Sequence, residues 1–118
     1  MLTLPIKKNW FDMIRSGIKL EEYREISNYY AVRFMNVLIP ETNKDNENIS
    51  TFINDCRAGK YLKTDEFSVL LRNGYSKNSP TITAFCNLKV GTGKPEWGAK
   101  ENTEYFVLKI DGISETKK

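Results

Sequence analysis

The pattern of hydrophobic and polar positions along the chain predicts five strands and two helices. The clearest strand covers 81–90, where apolar residues alternate with mostly polar ones. Apolar residues at helical spacing predict one helix over about 8–16 and a second over about 28–36. Shorter alternating or apolar runs predict the other strands, at 2–6, 19–26, 67–72 and 105–110.

A polar segment, 41–66, separates the second helix from the last three strands. Its first part, 41–51, is rich in Asn and almost devoid of apolar residues, and therefore predicts a loop. Phe52, Ile53 and Cys56 then predict one or two helical turns. We expect this segment to be a loop and short helix inserted into the fold.

The order of elements predicts an α+β fold over 1–113 in a single domain. The predicted architecture is a small, mostly antiparallel β-barrel, formed by a curled sheet, with two main flanking helices and the polar insertion. Residues 114–118 are expected to form a frayed tail. A chain of 118 residues has no room for a second hydrophobic core.

The composition narrows the possible chemistry, because the chain contains no His and two Cys. This excludes Ser-His-Asp and Cys-His nucleophilic catalysis, His-containing zinc sites and Cys₄ metal sites. We predict no cofactor and no metal ligands, although a carboxylate-bound Mg²⁺ stays open. Proton transfer would depend on Lys, Asp, Glu or Tyr.

The formal net charge of +3 is modest, but its distribution is uneven. Residues 1–40 and 67–103 carry the basic excess, and 41–66 is slightly acidic. A basic cleft for an anionic ligand is one interpretation, and ordinary surface variation is the other. The start of the chain lacks the pattern of a signal peptide and no apolar run has membrane length, so we predict a cytoplasmic protein with no membrane partner.

The first candidate site is the segment Gly17-x-Lys19-x-x-Glu22-x-Arg24, where the first helix ends and the second strand begins. Glu22 and Arg24 are two apart on a strand, so they share a face and can form a hydrogen-bonded pair. Lys19 and Glu22 have opposite parity, and they can converge only if Lys19 lies in the turn before regular pleating begins. The alternative is a surface ion pair of little energetic consequence.

This segment, following an amphipathic helix, resembles the G-x-K-x-x-E-x-R signature of the ASCH domain family in the PUA-like superfamily. The order of elements is similar over nearly the whole chain, except for 41–66. The resemblance implies a β-barrel with a cleft lined by Lys19, Glu22 and Arg24. It also implies an RNA or nucleotide-like ligand.

One branch of that family consists of amidohydrolases acting on acetylated cytidine, in which a Thr occupies the acidic position of the signature. Here that position is Glu22, which cannot act as an alkoxide nucleophile. If the protein is an enzyme, Lys19 and Glu22 are its predicted catalytic pair, with Glu22 as general base for water and Lys19 as electrophile or proton partner.

Two other segments offer ligand-binding side chains. Arg72 and Tyr75 flank the turn after the third strand and would supply a guanidinium and a stacking ring. Trp97 lies in a Gly- and Pro-rich loop, 91–98, that matches neither a P-loop nor a Rossmann fingerprint. In each case the alternative is structural: an ordinary turn for Tyr75, and a plug at one end of the barrel for Trp97.

The leading hypothesis is an RNA- or nucleotide-binding module whose cleft contains Lys19, Glu22, Arg24, Arg72, Tyr75 and Trp97. In that hypothesis Lys19 and Arg72 contact phosphate or carbonyl oxygens. The second hypothesis is a small hydrolase of acylated nucleosides or RNA. The third is a bacterial phage or mobile-element accessory protein that binds a host protein through 41–66 or sequesters a signalling nucleotide, which the small size and the Lys-, Asn- and Ile-rich composition motivate.

Overall fold

The structure, a computed structural model, describes residues 1–63 and 65–115. In chain order, the described elements are β1 (Leu2–Ile6), α1 (Lys8–Arg15), β2 (Glu21–Glu25), α2 (Asn28–Leu38), α3 (Asn46–Arg57), β3 (Phe67–Asn73), β4 (Thr81–Thr92) and β5 (Glu104–Glu115). A single 3₁₀ turn, Pro95–Trp97, interrupts the connection between β4 and β5. The predicted α+β class is confirmed.

The strands of the described residues form one mixed sheet in the order β1-β3-β4-β5-β2. β1 pairs with β3 in parallel, and the other three pairings are antiparallel. The sheet curls into a half-barrel, so the prediction of a curled, mostly antiparallel sheet is confirmed at this level. β1 and β2 are consecutive strands in the chain, yet they form the two opposite edges.

The hydrophobic core lies on one face of the sheet. Along β4 every second side chain is buried, from Ile82 to Val90, as the alternation predicts. The two helices α1 and α2 cover this face, and they contribute Phe11, Ile14 and Phe34 to the core. The core therefore lies between the sheet and two helices, one of which precedes β2 along the chain and one of which follows it.

The third helix, α3, corrects the prediction for 41–51. That range was expected to be a loop, but its residues from Asn46 onward are helical. The Asp45 side chain caps the helix by accepting a hydrogen bond from the Asn48 backbone N–H at 2.8 Å. Ile49, Phe52 and Cys56 form the buried face. The helix thus begins six residues before Phe52, where the apolar residues first indicate helical turns.

The last strand is also longer than predicted, because it continues past Ile110 to Glu115. The register between β4 and β5 shifts between Phe85 and Cys86, and this irregularity takes up the extra residue Asp111. Ser114 and Glu115 pair with β4, and the remainder of the predicted frayed tail, 116–118, lies outside the described residues. Among the helices described, none is long and apolar enough to cross a membrane.

Candidate functional site

The turn after α1 places Lys19 ahead of the regular pleat of β2. Gly17 has a positive φ of 82°, and the backbone N–H groups of Ile18 and Lys19 both donate to the Met13 carbonyl. Because Lys19 precedes the strand, its side chain can turn to the same side as Glu22. The Lys19 Nζ lies 3.2 Å from the Glu22 Oε1. Lys19 and Glu22 therefore converge, because Lys19 lies in the turn before the regular pleating of β2 begins.

Arg24 holds the second oxygen of Glu22 and also spans the open side of the half-barrel. Its Nη1 donates to Glu22 Oε2 at 2.5 Å and to the Tyr23 carbonyl at 2.8 Å. Its Nη2 donates to the carbonyl of Pro5 in β1 at 2.8 Å. Among the described residues β1 and β2 form no strand pairing. The guanidinium therefore connects these two edge strands through its side-chain hydrogen bonds.

Lys19 is enclosed, and its side chain has 0 % exposure. Its ammonium donates to the Trp97 carbonyl at 2.6 Å and lies about 5 Å from the ring centres of Trp10 and Tyr23. Burial lowers the pKa of Lys19, and the neighbouring Glu22 carboxylate opposes that shift. The ammonium thus contacts two groups within the protein interior: the backbone of the loop that carries Trp97 and the Glu22 carboxylate.

The connection 93–99, which we name the Trp97 loop, is held against β2 by Tyr23. The Tyr23 hydroxyl accepts from the Lys94 backbone N–H at 2.9 Å and donates to Glu21 at 2.8 Å. Burial raises the pKa of this phenol, so it stays neutral and able to donate. A Cβ on Gly93 would lie 2.5 Å from the Tyr23 ring, so only Gly allows the loop to pass this close.

A cleft of about 500 Å³ opens in front of Glu22 and Arg24, between the start of α1 and the turn after β3. Its aromatic lining residues are Trp10, Tyr23, Tyr30, Tyr75 and Trp97. Lys7 and Lys8 line it at the start of α1, and Glu22 is the one carboxylate among the described residues that line it. The lining therefore combines several rings with an excess of positive charge.

The structure brings four of the six candidate ligand-binding residues to the cleft: Glu22, Arg24, Tyr75 and Trp97. Lys19 lies behind Glu22 and does not line it. Arg72 does not line it either, because it alternates with Leu71 and Asn73 along β3 and faces away from the core. The Arg72 Nε is buried without a hydrogen-bond partner in the part of the chain that the structure describes.

Among the charged and aromatic residues that line the cleft, five were not candidates: Lys7, Lys8, Trp10, Tyr23 and Tyr30. One of them, Trp10, carries a signal that could have found it. Trp10 precedes Phe11, and adjacent positions on a helix do not face the same direction. Phe11 is the buried member of this pair, which leaves Trp10 at the cleft.

Within residues 1–63 and 65–115, no group of three or more Cys, Asp or Glu side chains is arranged to hold a metal ion. Comparison of the chain with protein-family models, with curated proteins and with solved structures finds no match.

Proposed function

We propose that the protein is an ASCH-type module whose cleft binds a nucleotide, either free or as part of an RNA. The lining of the cleft supports this proposal, since it joins five aromatic side chains to Lys7, Lys8 and Arg24. Stacking rings bind bases and cations bind phosphate, and the two together are typical of proteins that hold unpaired nucleotides. The G-x-K-x-x-E-x-R resemblance points to the same ligand class.

Tyr75 and Trp97 are suited to stacking on a base. Tyr75 is 89 % exposed at the mouth of the cleft, in the turn after β3. Trp97 is half-buried, and the Lys94 Nζ lies 4.6 Å from its ring centre, so one contact on the ring is with a cation. Rings in these two positions would accept a base of any identity.

Glu22 and Arg24 are suited to reading the edge of that base. Each oxygen of Glu22 already accepts one hydrogen bond, from Lys19 or from Arg24. A carboxylate has about four acceptor positions, so a base amine can still bind. Because the two cations hold the carboxylate in place, little ordering is required of it when the ligand enters.

The geometry favours binding over amide hydrolysis. A substrate carbonyl entering the cleft would meet Glu22, but the Lys19 ammonium lies behind that carboxylate with no exposed surface. Lys19 also donates to the Trp97 carbonyl, so it is occupied as a structural donor. An electrophile or proton partner must reach the reacting group, which Lys19 does not do in this arrangement.

Fluorescence anisotropy with a fluorescein-labelled RNA octamer of random sequence tests the proposal. Tyr75→Ala removes a stacking ring, and we expect it to weaken binding at least about five-fold. Lys7→Ala removes a cation that has no carboxylate partner in the part of the chain described here. We expect it to weaken binding and to reduce the slope of log K against log salt by about 0.7.

Two variants outside the cleft serve as controls. Ile18→Ala removes an exposed apolar side chain that does not line the cleft, and Lys109→Ala removes one positive charge from β5. Both should bind the octamer as the parent does. Equal losses in Lys7→Ala and Lys109→Ala would mean that the RNA is attracted by overall charge and does not occupy the cleft.

A further inference from the structure

The first two turns of α2 carry an aromatic and cationic surface that continues outward from the cleft. Tyr30 lines the cleft, and the adjacent Tyr29 is 57 % exposed outside it. Their rings meet edge to face, with centres 5.0 Å apart and planes at 86°. The guanidinium of Arg33 lies 3.3 Å from the centre of the Tyr29 ring. We name Tyr29 and Arg33 the α2 pair.

This surface is held in place from the core. Tyr30 stacks on the buried Phe34, with ring centres 6.4 Å apart, and Ser27 caps the helix by accepting from the Tyr30 N–H. Arg33 donates to the Tyr29 carbonyl at 3.1 Å, which fixes the guanidinium one turn above it. The α2 pair is therefore preorganised, and a ligand would not have to order it.

The charge of Arg33 is not neutralised by the protein. No carboxylate pairs with it among the described residues, and α2 contains no acidic residue at all. The exposed Tyr29 ring can stack on a base, and the guanidinium of Arg33 beside it can bind a phosphate. A protein partner would have to bring an acidic side chain to the same place, whereas every nucleotide in a strand brings a phosphate.

We propose that the ligand is a single strand of at least two nucleotides, with one base in the cleft and the next nucleotide on the α2 pair. This inference rests on the proposed function of the cleft and extends it from a nucleotide to a strand. The adjoining rings of Tyr30 and Tyr29 lead from one position to the other. A base-paired duplex does not fit, because its bases cannot reach either position without leaving the stack.

Competition experiments distinguish the strand from a single nucleotide. The labelled random RNA octamer is displaced either by the unlabelled octamer or by an equimolar mixture of AMP, CMP, GMP and UMP. We expect the octamer to bind at least about ten-fold more tightly than the mononucleotides, because the α2 pair adds a stacking contact and a phosphate contact. Tyr29→Ala and Arg33→Gln should each weaken octamer binding about five-fold or more while leaving mononucleotide competition within about two-fold.

Arg57→Gln is the matched control, because it removes an exposed arginine that pairs with Glu104 away from the cleft. It should leave both affinities unchanged. Parental octamer affinity in Tyr29→Ala and Arg33→Gln, or mononucleotides that compete as well as the octamer, would overturn the inference while leaving the cleft as a nucleotide site. Failure of the parent protein to bind either probe would instead refute the proposed function.

Discussion

Arg24 links the two ends of the curled sheet with one side chain. Its two terminal nitrogens reach Glu22 and the Pro5 carbonyl, on β2 and on β1. A lysine could carry the same charge but would lack the fork that reaches both acceptors. Arg24 is therefore expected to contribute to the stability of the fold as well as to the lining of the cleft.

Replacing Arg24 should destabilise the fold strongly. Arg24→Met leaves the Glu22 carboxylate, whose side chain is 6 % exposed, with Lys19 alone. Breaking a buried pair of this kind lowers the free energy of unfolding by about 3 kcal/mol, measured by urea denaturation. Arg24→Lys should lie between Arg24→Met and the parent.

The exposed pair between Arg57 and Glu104 provides the comparison for Arg24. Its partners are nearly half exposed, so solvent screens their attraction and Arg57→Met should cost far less than Arg24→Met. Similar losses in the two variants would show that the link between the sheet edges contributes nothing beyond an ordinary surface ion pair.

At this scale the sequence predicted the local contacts within residues 17–24 but not the distant ones. Glu22 and Arg24 meet because residues two apart on a strand share a face, which is a local rule. Besides Glu22, the polar partner of Lys19 is the Trp97 carbonyl, which lies far along the chain in a loop with no regular pattern. No local rule predicts such a contact. The expectation that Lys19 contacts the ligand directly did not take into account that the Trp97 carbonyl binds its ammonium.

Among the connecting elements, the Trp97 loop packs closely against Tyr23, and this contact determines its path. The Tyr23 hydroxyl and the Lys19 ammonium bind its backbone, and Gly93 allows the approach. Gly93→Ala should push the loop off Tyr23, because the new Cβ would also lie 2.8 Å from the Ala99 Cβ. We expect a loss of about 1–3 kcal/mol in the free energy of unfolding, together with a change in Trp fluorescence.

Gly91→Ala is a close control for that variant. Gly91 lies two residues earlier, and a Cβ there would meet nothing nearer than the Lys89 side chain at 3.9 Å. Neither glycine has a positive φ, so the two substitutions differ in space and not in backbone strain. If both variants unfold alike, the contact with Tyr23 does not determine the path of the loop.

The helix α3 shows why a short amphipathic element is hard to predict. Its buried face needs three residues, Ile49, Phe52 and Cys56, and the positions between them are polar. The part before Phe52 therefore resembles a loop in composition, and the cap at Asp45 is a feature that the structure adds. Because Ile49 is buried, deleting 43–50 would remove part of the core, so that deletion cannot test partner binding through 41–66 without disturbing the fold.

For the whole molecule, the curl of the sheet brings together residues that the chain keeps apart. β1 pairs in parallel with β3, and most of the chain's helices lie between those two strands in sequence. Alternating patterns record which face of a strand is buried, but they do not record which strand is its neighbour. The α+β class could therefore be predicted, whereas the strand order and the cleft that it forms could not.

The same core gives the molecule a pH dependence through its buried thiols. Burial raises the pKa of Cys86 from 9.0 to about 12, and nearby Glu66 and Glu22 act in the same direction. Above pH 9 the unfolded chain loses this proton while the folded protein keeps it. The folded state then binds more protons, so the free energy of unfolding falls by about 1.4 kcal/mol per pH unit for each such thiol between pH 9 and 12.

Cys86→Ala should therefore be less stable than the parent at pH 7, where a cavity is its main effect, but should lose less stability between pH 9 and 11. Val90→Ala is the matched control, since it opens a cavity in the same strand without removing a titrating group. Its difference from the parent should stay constant with pH, whereas that of Cys86→Ala should shrink. Urea denaturation at several pH values measures both differences. Parallel pH profiles for Cys86→Ala and the parent would contradict this prediction, because they would mean that a thiol with 1 % exposure ionises as readily in the folded core as in the unfolded chain.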